Sequence, residues 1–194
     1  MDKKYMKHIA AVAVSFVMAQ SITWANTLDA TADIRFKGSS TLHDFEGAAA
    51  AKPFVADFKE NDESGQLTVA AKTAIEVGTM TTNNKKRDKN MFKMFDLDHF
   101  GRIEGELPET QVSEKGRSEA NLHLKICNVE HDVTATISEV QRDGNELSCN
   151  MTFPVSLKAF HLKGPSVMGV IRVDDTVYVE CTIHGQIGET IAGK

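Results

Sequence analysis

The chain has 194 residues, and 22 Lys and Arg against 27 Asp and Glu leave a net charge of −5. An acidic chain whose one basic cluster is Lys85-Lys86-Arg87 with Lys89 is poorly suited to nucleic acid, and that cluster reads first as a solvated helix face. Its length suits one domain with a sizeable core.

The front end reads as removable. Lys3, Lys4 and Lys7 precede an apolar run over 9–19 broken only by Ser15, and Thr23-Trp24-Ala25 ends in the small residue a signal peptidase needs. The run is short for a bilayer span, so residues 1–25 are expected to be a secretory signal cut after Ala25, with a retained anchor as the alternative. Loss of Lys3, Lys4, Lys7 and Asp2 takes the net charge from −5 to −7, which weighs further against nucleic acid. The only Trp leaves too, so the remaining aromatics are Tyr178 and Phe rings, which carry no polar atom.

From residue 26 onward the periodicity is that of strands. Ala30, Ala32, Ile34 and Phe36 alternate with polar residues, and after the interruption at Gly38 Phe54, Ala56 and Phe58 alternate with Val55, Asp57 and Lys59. A turn cluster at 61–65 leads into a long strand over 66–77, where Leu67, Val69, Ala71, Ile75 and Val77 share parity. The stretch 83–95 alone predicts a helix. Met91, Phe92, Met94 and Phe95 fall on one side of it, and so short a helix must press that side into something. A short strand at 101–107, an acidic loop at 109–119 and strands near 122–127 and 133–138 follow. Asp143-Gly144 signals a hairpin into Leu147, Cys149, Met151 and Phe153. A second hairpin is expected around Asp174-Asp175, between 167–173 and 176–183, with a loose tail from 185. The fold class is therefore all-β: eight or nine antiparallel strands in a barrel whose mouth receives the helix, or two packed sheets, since periodicity allows both.

Four segments carry a resemblance to a known family. They are Gly38-Ser39-Ser40-Thr41-Leu42-His43-Asp44-Phe45; Asp88-Lys89-Asn90-Met91-Phe92 through Phe100 and Ile103; 124–133; and Phe160-His161-Leu162-Lys163-Gly164-Pro165 through Gly169 and Val177. Together they make residues 26–194 similar to the YceI-like family. The resemblance implies a secreted, usually periplasmic, lipocalin-like barrel around an apolar tunnel, in which some members hold a polyisoprenoid or another amphiphile. Strand parity then nominates Phe36, Phe54, Phe58, Leu67, Val69, Leu124, Ile126, Met151, Phe153, Val177 and Val179 as lining, and the helix adds Met91, Phe92 and Phe95. Each of these equally fits ordinary core packing, and only an internal void separates the two readings. Lys85, Lys86, Arg87 and His99 are expected near the rim, where a headgroup would sit. A tail projecting from a short barrel would favour a homodimer.

Other chemistry has thinner support. Ser39, Ser40, His43 and Asp44 do not make a triad, because strand neighbours point to opposite faces, and they read better as a turn. No catalytic residue and no cofactor is expected. His43 and His131, each followed by Asp, are the candidates for a metal or haem site at one barrel end. Cys149 and Cys181 share inward parity and would form a disulfide if their strands are neighbours; otherwise Cys127, Cys149 and Cys181 are separate thiols, with Cys127 the most reactive. The function expected is binding of an isoprenoid-like lipid, against the alternatives of a His-based metal or haem protein and a stress-related interaction module with a filled barrel.

Overall fold

The alternation read at 28–36 becomes the first wall of a barrel. In the computed structural model, which describes residues 26–61, 66–164 and 172–188, Leu28, Ala30, Ala32, Ile34 and Phe36 are buried and each residue between them is exposed. The expected signal at 1–25 lies outside the described residues. The elements are β1 (Asn26–Ser40), β2 (Phe45–Ala50), β3 (Phe54–Asn61), β4 (Gln66–Glu76), α1 (Lys85–Met94), β5 (Arg102–Val112), β6 (Arg117–Ile126), β7 (Val129–Asp143), β8 (Glu146–Ser156) and β9 (Val173–Gly188).

Every strand pairs antiparallel with the next in the order β1-β3-β4-β5-β6-β7-β8-β9, and β9 pairs back onto β1. That last pairing closes eight strands into a barrel and rules out two separate sheets. The extra strand, β2, shares an edge of β1 with β3: β3 takes residues 26–30 and β2 takes 33–38. The two form one wall bent at Lys52-Pro53, where proline has no N–H to give a ladder. Bridges from Ala48 to Thr81 and from Ala51 to Ile75 tie the bent wall to the chain leaving β4.

Several boundaries differ from the sequence reading. The hairpin at Asp143-Gly144 forms, with Asp143 opposite Glu146 and Gly144 at φ 59°. The acidic loop at 109–119 is instead mostly strand: β5 runs to Val112 and β6 starts at Arg117. Outward positions rich in Glu, Thr and Ser hid the alternation, and only a tight turn remains, held by the Ser113 amide donating to Ser118 Oγ at 2.9 Å and by Gly116 at φ 99°. Asp174-Asp175 is not a turn but part of β9. The Asp175 carboxylate accepts from Ser156 Oγ and from the Lys158 amide, both at 2.8 Å, so it ties down the turn after β8. β9 continues to Gly188, so 185–188 is strand rather than tail. The 167–171 portion of the expected hairpin and the tail from 189 lie outside the described residues.

The barrel is unevenly filled. Toward the end where β3 leaves and β4 enters, Phe58 and Leu67 are 1% and 0% exposed, and Val112, Ala120, Ala135, Ile137, Val140 and Leu147 pack around them. The opposite end is covered by α1 and is not solid.

Candidate ligand-binding cavity

The cover is fixed before it is greasy. Asn84 caps α1, its side-chain oxygen accepting from the Lys86 and Arg87 amides at 3.1 Å each. Asp88, one turn in, reaches off the helix and accepts from the Thr82 amide at 2.8 Å, from Thr82 Oγ1, and from Thr81 Oγ1 at 3.1 Å. Burial pushes the Asp88 carboxyl up, but these bonds win and hold it below the usual value. At the other end Cys127 Sγ donates to the Phe95 carbonyl at 3.2 Å from the β6–β7 turn, where Cys127 and Asn128 both have positive φ, 49° and 62°. Met91 and Phe95, four residues apart, are the helix residues buried against the barrel.

Beneath them lies a cavity of about 390 Å³. Its walls come from β1, β2, β4, β5, β6, β8 and β9, from α1, and from the turn after β8 through Leu157 and Leu162. Two close approaches keep the β1–β2 wall flat. Phe36 faces Gly47, and Phe45 faces Gly38, across the strand pair. A Cβ on Gly47 would stand 2.2 Å from Phe36 Cζ, and one on Gly38 would stand 2.5 Å from Phe45 Cζ. Both rings therefore lie on glycine backbone instead of projecting across the interior. At the mouth, the 40–43 turn is set by Ser40 Oγ donating to the His43 carbonyl at 2.8 Å, and Leu42 is 62% exposed there.

Of the residues nominated from sequence, Phe36, Met91, Phe95, Leu124, Ile126, Phe153, Val177 and Val179 line this cavity. Phe58, Leu67 and Met151 belong to the buried core instead, with Phe54 and Val69 packed against it. Their parity is inward, but parity says nothing about depth along the barrel. Phe92 is not in the lining: it packs half-buried at the edge of the core and borders an outer groove with Lys85, Lys89 and Leu97, because one helical residue past Met91 is about 100° around the axis. Among the rim candidates, Lys86 and Arg87 reach the lining, whereas Lys85 faces that outer groove and His99 pairs with Asp96 at 3.0 Å on the surface. The sequence reading missed Ile34, Ile75 and Val155, whose parity with Phe36, Leu67 and Phe153 was available. It also missed Met80, Leu157 and Leu162, which sit in irregular segments with no period to find.

The two histidines take different environments. His43 is in the mouth lining, and His131 stands edge-on to Phe160 at 5.3 Å. Among the described residues no group of three or more His, Cys, Asp or Glu comes together to hold a metal. The bridge between Cys149 and Cys181 is not formed: both are free thiols. They are on neighbouring strands and the same face, but Cys149 is opposite Ile183 and Cys181 opposite Met151, a diagonal relation of roughly 7–8 Å that a disulfide spans badly. Burial pushes the Cys149 thiol to about 11 and that of Cys181 to about 12. Cys127 is the least shifted of the three thiols: it is half-buried under the helix end, and burial, then the Asp96 charge, raises its pKa.

Fold and cavity together define a closed antiparallel barrel with an apolar, helix-covered interior at one end. The model of the YceI-like domain matches residues 13–184, and the chain belongs to that family. Solved structures share the fold at low identity. BcnA of Burkholderia cenocepacia is 16% identical with a TM-score of 0.64, over 79% of this chain and 95% of that one. A polyisoprenoid binding domain from Saccharophagus degradans, implicated in plant cell wall breakdown, is 15% identical with a TM-score of 0.58, over 85% and 99%. A Campylobacter jejuni YCEI protein is 14% identical with a TM-score of 0.55, over 74% and 85%. No curated protein matches the chain. No helix among the described residues is long and apolar enough to cross a membrane.

Proposed function

We propose that this chain is a non-catalytic periplasmic protein that binds a long-chain apolar or amphiphilic molecule, isoprenoid-like in character, inside the hollow end of its barrel. The observation that carries the reading is the void itself. Phe36, Val179 and Phe153, side by side on β1, β9 and β8, and Leu124 on β6 line a void of about 390 Å³ and do not fill it. An apolar cavity of that size is within the range of small-molecule sites. Each buried methylene of a guest would contribute about 0.8 kcal/mol, less the cost of ordering the tail. The polyisoprenoid binding named for the Saccharophagus degradans domain, which shares the fold, supports the same class of guest. Residues 1–25 would direct the chain across the inner membrane and be removed after Ala25.

The test is native mass spectrometry of protein purified from the periplasmic fraction, with an organic extract of the same sample. A mass beginning at Asn26 plus an extractable lipid is expected. An apo mass alone, with no lipid in the extract and no uptake of added lipid, would overturn the reading.

A further inference from the structure

The charge at the mouth and the depth of the hollow together say more about the guest. The chain is acidic overall, with 27 Asp and Glu against 22 Lys and Arg, yet the cavity lining contains Lys86 and Arg87 and no Asp or Glu. The nearest carboxylate on the helix, Asp88, is turned onto Thr81 and Thr82. Among the described residues neither Lys86 nor Arg87 forms a salt bridge, and the Arg87 guanidinium stands 5.7 Å above the Phe45 ring, over the wall of the cavity. Ser40, Asn84 and Asn90 are in the lining as well. Two cations that form no salt bridge among the described residues, at the polar edge of an otherwise apolar hollow, complement an anion attached to a tail.

Depth limits that tail. One step below the lining pair Phe153 and Val179, Met151 and Cys181 face each other across β8 and β9 and are buried, and the solid half of the barrel begins there. An apolar void of about 150 Å³ holds one six-carbon ring. By that scale about 390 Å³ takes roughly fifteen carbons.

Resting on the function proposed above, we infer that the guest is a single-chain anionic amphiphile of roughly fifteen carbons, its acidic head held between Lys86 and Arg87. A carboxylate on an alkyl chain and a phosphate on a short isoprenyl chain share that chemistry.

Calorimetric titration of the delipidated protein with pentadecanoate, farnesyl phosphate, farnesol and undecaprenyl phosphate tests it. At least one of the two short anions should bind tenfold or more tighter than farnesol; which one does so separates the alkyl from the isoprenyl source. The Lys86→Gln, Arg87→Gln double variant should lose that margin, binding the short anion no tighter than it binds farnesol. Undecaprenyl phosphate should bind at least tenfold more weakly than farnesyl phosphate. Equal affinity for farnesol and both anions would overturn the anionic head and leave lipid binding standing. Undecaprenyl phosphate binding as tightly as the short phosphate would overturn the length limit. Failure of all four to bind would overturn this inference and the proposed function together.

Discussion

Gly47 shapes the hollow by having no side chain. The Phe36 ring occupies the place a Cβ would take, and the Thr81 carbonyl is 2.7 Å from the same position. A Gly47→Ala substitution must therefore move the ring inward or strain the bridge between Ala48 and Thr81. Overpacking of this kind costs about 1–3 kcal/mol. Chemical denaturation should show that loss, and lipid uptake should fall further than stability does, because the displaced ring enters the cavity. Cysteine chemistry belongs to the same scale. With thiols pushed to about 11 and about 12, Cys149 and Cys181 are protonated at neutral pH, and Cys181 is buried while Cys149 is partly exposed. A disulfide-exchange reagent should label Cys181 only as fast as the protein opens, and all three cysteines should react at once in denaturant. Fast native labelling of Cys181 would contradict its placement.

At the scale of elements, α1 depends on a polar anchor as much as on Met91 and Phe95. Asp88→Ala removes the acceptor for the Thr82 amide and for the Thr81 and Thr82 hydroxyls, which should cost about 1–2 kcal/mol for partly exposed, charge-assisted bonds. Asp88→Asn keeps one acceptor and should lose less. The Asp88 carboxyl lies below its ordinary 3.8 in the folded state. Its contribution is thus present above 3.8 and lost as pH falls through the lower folded value. Acid titration of helix docking, followed by exchange of the α1 amides, should show the cover loosening below that point in the native chain and no such added step in Asp88→Ala. The anchor also shows what the sequence could say. The helix was legible because Met91, Met94 and Phe95 have a period and the residues before them are polar. Its docking bonds were not, since Asp88 to Thr82 is a contact across a bend with no pattern. β1 was legible from strict alternation, whereas β2, with Ala48, Ala49 and Ala50 in succession, offers no contrast between faces. Asp174-Asp175 misled because turn residues also serve strands when a neighbouring segment, here 156–158, uses their oxygens.

For the whole molecule, the sequence indicates which residues face inward but not where the interior stops being full. Phe58 and Phe153 have the same parity status and the same chemistry, and both are buried, at 1% and 9%. One lies in the solid end and the other on the cavity wall. The difference comes from what meets each ring from the far side of the barrel, and that is a property of closure and strand tilt rather than of any one strand. It has a measurable consequence. Phe58→Ala opens a new void in packed core and should cost about 3–5 kcal/mol. Phe153→Ala enlarges a void that already exists. The ring has fewer atoms against it to lose, so the apo protein should be destabilised by less, about 1–3 kcal/mol. Lipid binding should respond in the opposite order, with Phe153→Ala altering affinity and preferred tail length while a folded Phe58→Ala protein keeps both. Equilibrium denaturation of the two variants, each with and without a bound short-chain amphiphile, separates the halves. If both substitutions cost the same in the apo protein, the barrel is filled throughout and has no hollow end.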